Sequence, residues 1–222
     1  MIDAAAAPRA VLFDLDGTLV DSSADLIRAL GTLCAEIGEP PPDPHTVRPR
    51  ISAGSRAMLR SALPRFDGER IDALVPRFLE IYAAALAVET EPFPGMPMLL
   101  ESIEARGIAW GVVTNKPAAL THPLMGQLGL AARCAALVCG DTLPVRKPDP
   151  EPVRHACRLA GIEPSTAWFV GDDPRDIDAG RGAGTRTVAA AWGYLDGGDP
   201  HSWGADWVAP SVAALHAALA GA

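Results

Sequence analysis

Val11-Leu12-Phe13-Asp14-Leu15-Asp16-Gly17-Thr18-Leu19 is the stretch that decides how the rest of the chain is read. A short apolar run ends in two carboxylates two positions apart. In an extended segment, residues i and i+2 share a face, so Asp14 and Asp16 can look into one pocket. Gly17 lets the chain turn sharply out of the strand, and Thr18 sets a hydroxyl beside the pair. Two carboxylates this close resist joint ionisation unless a cation or a shared proton lies between them. The spacing therefore calls for a hard metal ion such as Mg²⁺, a division of acid and base roles, or both. The bland alternative is a strand-to-turn passage with two solvated Asp residues, and the downstream residues weigh against it.

Working outward, residues 10–14 read as a buried strand. Ser22-Ser23-Ala24-Asp25 offers a helix N-cap with an acidic residue at the third helical position. Leu26, Ile27, Leu30, Leu33, Cys34 and Ile37 follow at helical spacing. Gly38 ends that helix, and Pro40-Pro41-Pro42 with Pro44 forbids an early restart. Residues 45–64 read as short helical pieces around Ile51-Ser52-Ala53-Gly54-Ser55-Arg56, and residues 67–87 as a longer helix. Residues 20–88 are thus expected to be all helical, without a strand. After the linker Glu91-Pro92-Phe93-Pro94-Gly95 the chain alternates. Helices are expected at 97–106, 117–129, 150–161, 174–183 and 211–220, and strands at 108–114, 135–139, 167–171 and 185–191. Such alternation implies an α/β fold, a Rossmann-like parallel sheet. Its core is residues 1–19 and 89–222, and residues 20–88 are an inserted helical cap.

Ligands of such sheets sit beyond the carboxyl ends of the strands, and an acid pair, a hydroxyl, a lysine and a second acid cluster all fall there. The first strand delivers Asp14 and Asp16, the next Thr114-Asn115-Lys116-Pro117. The loop after the third carries Arg146-Lys147-Pro148-Asp149-Pro150, and the fourth ends in Gly171-Asp172-Asp173-Pro174-Arg175-Asp176. A carboxylate can serve as a covalent nucleophile. A Mg²⁺ held by Asp14 and Asp172 would neutralise charge between nucleophile and phosphate. The Thr114 hydroxyl and the Lys147 ammonium can hold the other phosphoryl oxygens, while Asp16 can protonate the leaving oxygen and then activate water.

These four motifs resemble those of the haloacid dehalogenase-like hydrolase superfamily, over nearly the whole chain. The resemblance implies that Asp14 is the nucleophile, Asp16 the general acid/base, and Thr114 and Lys147 the phosphate-binding pair. It also implies Mg²⁺ held by Asp14, the backbone carbonyl of Asp16, and Asp172, with Asp173 and Asp176 supporting the ligands from outside. The helical insertion resembles the cap that closes over such sites and excludes water. Within the superfamily the chain is similar to the phosphoglycolate phosphatase group and, more narrowly, to bacterial N-acetylmuramic acid 6-phosphate phosphatases. The narrower likeness rests on residues 110–117, 147–152, 171–187 and 203–206, which belong mostly to the core. The expected substrate is a small phosphorylated metabolite, N-acetylmuramic acid 6-phosphate or 2-phosphoglycolate. Thr18, Asn115, Ser52, Gly54 and Arg56 are the candidate substrate contacts, with Arg56 able to take a carboxylate bidentately. Lys116 either approaches the phosphate or solvates the start of the following helix, the second reading being preferred. Arg175 and Arg181 are expected to pair with nearby acids, and Trp192, Trp203 and Trp207 to serve in packing.

Composition excludes several other classes. The 222 residues carry a net charge of −8 and no basic run, which argues against a nucleic-acid or anionic-membrane surface. Among 19 basic residues only Lys116 and Lys147 are lysines, and a tight phosphate pocket can require the compact ammonium where Arg is otherwise preferred. Cys34, Cys134, Cys139 and Cys157 show no Cys-x-x-Cys pair and no His at zinc spacing, and read as small buried residues in a reducing compartment. The N-terminus, with Asp3 and no basic region, does not resemble a signal peptide, and the longest apolar run, Ile81 to Val88, is too short for a bilayer. A cytoplasmic monomer or homodimer is expected. A dehalogenase would not need Asp16, and a Schiff-base phosphonate hydrolase would need a cap lysine that residues 20–88 lack. A sugar phosphomutase shares the core motifs and remains the alternative, and a non-catalytic phosphate-binding module is disfavoured by the intact Asp14, Asp16 and Lys147.

Overall fold

The computed structural model describes residues 7–221, so the reading of the N-terminal Ala run lies outside the described residues. Six parallel strands form one sheet: β1 (Ala10–Phe13), β4 (Ala109–Val113), β5 (Ala136–Val138), β6 (Ala167–Gly171), β7 (Arg186–Ala190) and β8 (Trp207–Ala209). Their spatial order is β5-β4-β1-β6-β7-β8. Strand β1 is central, in register with β4 on one side (Leu12 opposite Gly111) and with β6 on the other (Leu12 opposite Phe169). The chain runs outward from β1 to β4 and β5, then returns to β6 on the opposite side. That reversal makes the carboxyl end of β1 the place where a crevice opens.

The alternation of side chains explains why β1 is apolar at every position. Val11 and Phe13 join Trp110, Val112, Trp168 and Val170 in the layer under helices α5 (Met96–Ala105), α6 (Ala118–Gln127) and α9 (Val212–Ala220). Leu12 points the other way, with Val113 and Phe169, into the layer under α7 (Glu151–Ala160) and α8 (Pro174–Ala183). A strand covered on both faces reads as a continuous hydrophobic run, as parallel sheets require.

Between β1 and α5 the chain leaves the core as the cap: α1 (Ser23–Glu36), α2 (Pro44–Val47), a short 3₁₀ turn at Arg48–Arg50, α3 (Ser55–Ala62) and α4 (Gly68–Ala83). The cap has its own hydrophobic cluster, including Leu30, Leu33, Met58, Leu59, Phe78 and Tyr82, and two core residues, Leu120 and Tyr194, reach into it. The insertion is not purely helical. Val20–Asp21 forms a two-residue strand, β2, antiparallel to β3 (Glu91–Pro92), with Val20 opposite Pro92. The chain's exit from the core and its return are therefore stitched side by side. The β8 strand is a further element absent from the sequence reading; three residues at a sheet edge are too few to show a period.

The N-cap reading at Ser22 also changes. Ser22 does cap α1 by position, but its hydroxyl makes no cap bond and donates instead to Asp16 Oδ1 at 2.6 Å. Asp25 does not reach back to the cap either. Its carboxylate is completely buried and receives the backbone N–H groups of Val88, Glu89 and Thr90 and the Thr90 hydroxyl. It thereby locks the start of the cap to its end.

Candidate active site

Asp14, Thr114 and Asp172 stand one step past β1, β4 and β6, and the sheet's own hydrogen bonds fix the first two there. Asp14 N donates to Val170 O at 2.9 Å, and Thr114 N to Val138 O at 2.9 Å. Lys147 comes from the loop after β5. Its backbone is clamped by Asn115, whose side chain donates to Lys147 O and accepts from Lys147 N, both at 3.0 Å. So fixed, the Lys147 ammonium lies 2.7 Å from Asp14 Oδ1 and 2.7 Å from Asp176 Oδ1, and donates to Val113 O at 2.8 Å. The groups scattered from residue 14 to residue 176 meet at one rim of the sheet.

Asp14, Asp172 and Asp176 are all buried, with a carboxylate oxygen from each lying within 4.8 Å of the others. Burial and the charge of Asp14 push the Asp172 carboxyl up to about 7. Asp176 is also raised well above its ordinary value, by burial first and then by Asp14 and Asp172, against the pull of Lys147. For Lys147 burial acts downward, but Asp14 and Asp176 outweigh it and hold the ammonium above its usual range. Three buried carboxylates share one lysine's neighbourhood, so they resist joint ionisation unless a further cation lies among them. Asp14 Oδ1 is buried with the Lys147 ammonium, 2.7 Å away, as its one charged neighbour of opposite sign among the described residues. An oxygen-only, anion-rich pocket of this kind fits a small hard dication.

The rim is shaped around Asp172. Its Oδ1 accepts from the Thr18 hydroxyl at 2.9 Å, and its Oδ2 from Tyr194 N at 2.8 Å and the Ser52 hydroxyl at 2.9 Å. Two glycines make room for it. A Cβ on Gly17 would stand 2.3 Å from Asp172 Oδ2, and one on Gly193 would stand 2.2 Å from Asp172 Cβ. Asp173 and Asp176 form a capping box at the start of α8, and Arg175 pairs with Asp173 at 2.7 Å while donating to Ser52 O at 2.5 Å. Cap and core are therefore joined at Ser52 through both its hydroxyl and its carbonyl.

Several expected substrate contacts are occupied otherwise. Thr18 is fully buried on Asp172, Asn115 holds the Lys147 loop, and Ser52 sits on Asp172. Asn115 and Ser52 nevertheless line the cavity, as does Gly54 at φ +90. The Arg56 guanidinium instead pairs with Asp72 at 2.6 Å, with its side chain 57% exposed, and does not line the cavity. Lys116 neither solvates a helix start nor faces open solvent. Its ammonium is buried against both Asp16 oxygens, at 2.9 and 3.1 Å, and the Tyr82 hydroxyl at 2.9 Å. Arg181 donates to the carbonyls of Trp203 and Gly204 rather than to an acid. Sequence reasoning passed over both tyrosines, the only two in the chain. Tyr82 lies on the buried face of α4 with Ile71 and Phe78. Tyr194 lies outside every motif, yet its hydroxyl accepts from Ser22 N and donates to Asp21, both at 2.9 Å.

The model for haloacid dehalogenase-like hydrolases matches residues 11–190, which hold all of these motifs. The chain belongs to that family. Relatives agree over most of its length. An N-acetylmuramic acid 6-phosphate phosphatase of Pseudomonas putida is 48% identical over 204 residues, covering 90% of this chain and 91% of its own. A phosphoglycolate phosphatase of Xanthomonas campestris pv. campestris is 46% identical over 200 residues, with 90% of each chain covered. Among solved structures, that of a predicted phosphoglycolate phosphatase from Haemophilus somnus superposes with a TM-score of 0.84 at 26% identity, covering 97% of this chain and 98% of that one. In this family setting the buried acidic cluster of Asp14, Asp172 and Asp176 is the metal-binding candidate. Among the described residues no helix is long and apolar enough to cross a membrane.

Proposed function

We propose that the protein is a Mg²⁺-dependent phosphatase that hydrolyses a small, carboxylate-bearing phosphomonoester through a phosphoryl group carried on Asp14. The meeting of Asp14, Lys147, Asp172 and Asp176 at one buried rim supports this reading above all else. Mg²⁺ would be held by Asp14, Asp172 and the backbone carbonyl of Asp16, with Asp176 alongside. Bound there it would supply positive charge to the phosphoryl oxygens.

The remaining work belongs to side chains. The Asp14 carboxylate attacks phosphorus, and the bond to the leaving oxygen breaks as Asp16 gives that oxygen a proton. The Asp16 carboxylate then takes a proton from water, whose oxygen attacks the phosphoryl group and returns Asp14 free. Lys147 and the Thr114 hydroxyl, at the same rim, hold the phosphoryl oxygens that develop charge. The cap loop at Ser52 roofs the site and limits access of water to the intermediate.

The cavity beside Asp14 has a volume of about 250 Å³ and two unlike walls. The core wall is charged. The cap wall is apolar, built from Ile51, Met58, Phe78 and Leu79 with Leu26 and Leu120. Three of the four cations lining it are neutralised: Lys116 by Asp16, Lys147 by Asp14 and Asp176, and Arg175 by Asp173. The fourth, Arg146, has a guanidinium with no partner among the described residues. With Arg56 taken by Asp72, Arg146 is the group left to receive a substrate carboxylate. An apolar wall suits a sugar ring with acetyl and lactyl methyl groups better than the two-carbon glycolate, which favours N-acetylmuramic acid 6-phosphate over 2-phosphoglycolate. The test is kcat/KM for these two esters and N-acetylglucosamine 6-phosphate, which lacks the lactyl carboxylate. The muramic ester is expected to lead, with the glucosamine ester about 10- to 100-fold behind, the worth of a charge-assisted hydrogen bond. Equal rates for the two sugars would remove the carboxylate reading, and no phosphate release from any would remove the phosphatase.

A further inference from the structure

Lys116 has an environment that the catalytic cycle above does not use. Its side chain is 6% exposed. The ammonium has three N–H groups and no means of accepting, and three oxygens surround it: Asp16 Oδ1 and Oδ2 from the core, and the Tyr82 hydroxyl from helix α4 of the cap. The nitrogen also lies 4.6 Å from the centroid of the Tyr82 ring, within cation–π range. Burial acts to lower the Lys116 pKa, yet the Asp16 carboxylate and Tyr82 raise it above the usual value. The ammonium is therefore a settled cation, not a displaced proton carrier.

Lys116 takes Asp16 at both oxygens, and Ser22, where the chain enters the cap, takes Oδ1 a second time at 2.6 Å. This grip fixes the plane of the carboxylate as well as its place. The third ammonium N–H finds its acceptor only while α4 lies over the site. With the cap lifted that N–H would turn to water instead, so the full protein shell around the ammonium exists only in the closed arrangement.

We propose that Lys116 is the positioning residue for Asp16 and that Tyr82 is the cap's share in that positioning. Seating α4 completes the shell of Lys116 and so sets the Asp16 oxygen that delivers the proton to the leaving group. When the P–O bond breaks and the proton passes from Asp16 to the leaving oxygen, the carboxylate left behind faces a cation already in contact. The cap thus assembles the acid as well as roofing the cavity. This rests on the reading of Asp16 as general acid in a phosphatase.

The test is a leaving-group series. General acid assistance matters most for a poor leaving oxygen and little for a good one. Wild type, Tyr82→Phe and Lys116→Met are compared on nitrophenyl, phenyl and alkyl phosphates, with kcat/KM reporting the transfer to Asp14. Tyr82→Phe removes one oxygen and is expected to lower kcat/KM about 10-fold on the alkyl ester and less than about 3-fold on nitrophenyl phosphate. Lys116→Met is expected to lower the alkyl value about 100-fold, again sparing nitrophenyl phosphate, and to show a burst of nitrophenol because Asp16 is also misplaced for the water step. A fall of equal size across the series, or none in Tyr82→Phe, would overturn the proposal. If Lys116→Met does not fold, the Tyr82→Phe series decides alone. A wild type inactive on the whole series would remove the phosphatase reading and this proposal with it, whereas an active wild type with parallel variant slopes removes only the proposal.

Discussion

Asp25 offers a perturbation whose cost can be worked out from the structure without reference to catalysis. It sits in the first turn of α1, fully buried, and its acceptors serve a segment more than 60 positions away. Asp25→Ala removes the acceptor of Thr90 N–H (3.0 Å) and of the Thr90 hydroxyl (2.6 Å). Thr90 is 3% exposed, so neither group can turn to water. Each stranded donor costs about 1–3 kcal/mol. The N–H groups of Val88 and Glu89 lie in exposed residues and can be rehydrated, and the partly exposed Arg28 pair adds little. The expected loss is about 3 kcal/mol, out of the 5–15 kcal/mol typical of a folded domain. Urea unfolding at neutral pH measures it as a lowered midpoint. Asp25→Asn keeps one acceptor oxygen and should lose less. The hydrogen bonds from Thr90, Arg28 and Glu89 outweigh burial and hold the Asp25 carboxyl below its ordinary 3.8. A depressed folded value means that stability is present above the unfolded pKa and is lost as pH falls through the folded one. The gap between wild type and Asp25→Asn should therefore be full at neutral pH and shrink only below pH 3.8. A loss under about 1 kcal/mol for Asp25→Ala, or a gap that closes above pH 5, would refute the reasoning.

Three further outcomes are expected at the rim. Asp14→Asn should reduce phosphate release to background while leaving the circular dichroism spectrum of the wild type; retention of most activity would remove the covalent step. Chelation of divalent metal should stop turnover, and Mg²⁺ at about 100 times its Kd should stabilise the wild type by about 2.7 kcal/mol, read as a rise in Tm that is smaller in Asp14→Asn. A Tm indifferent to Mg²⁺ would contradict the metal assignment. Gly193→Ala would place a Cβ 2.2 Å from Asp172 Cβ and 2.6 Å from Gly17 O. Neither neighbour is a flexible tip, so overpacking of about 1–3 kcal/mol and a loss of activity are expected. A wild-type Tm would show that the loop yields.

The parts of this molecule that were legible in the sequence are those where the chemistry is carried by residues close together in the chain. Asp14 and Asp16 share a face because of strand geometry alone, and the other motifs follow strands whose apolar runs mark them. The sheet then brings them together without further instruction. What escaped the sequence depends on partners far apart in the chain. Lys116 meets Asp16 across 100 positions and Tyr82 across 34, and no local pattern separates such a lysine from one that solvates a helix start. Arg56 looked free because its partner Asp72 lies on another helix, 16 residues on. Ser22 and Asp25 have the composition of a helix cap, but stronger tertiary partners, Asp16 and the 88–90 backbone, took their side chains.

Those two diversions explain how a cap can be inserted directly after β1 without loosening it. The chain leaves the core at β2 and re-enters at β3, paired with it. Ser22 ties that exit to Asp16, and Asp25 ties the same turn to the returning segment at Thr90. Tyr194 then joins the exit to the metal-side rim, bonding Ser22 and Asp21 with its hydroxyl and Asp172 with its backbone N–H. A change in the angle of the cap must therefore act on Asp16 and Asp172 together. Both stand at the rim with Asp14, the proposed nucleophile, so the cap's point of exit and the proposed catalytic carboxylates Asp16 and Asp172 form one hydrogen-bonded unit. The residues a helical cap ordinarily spends on capping α1 are spent here on binding the cap to the site.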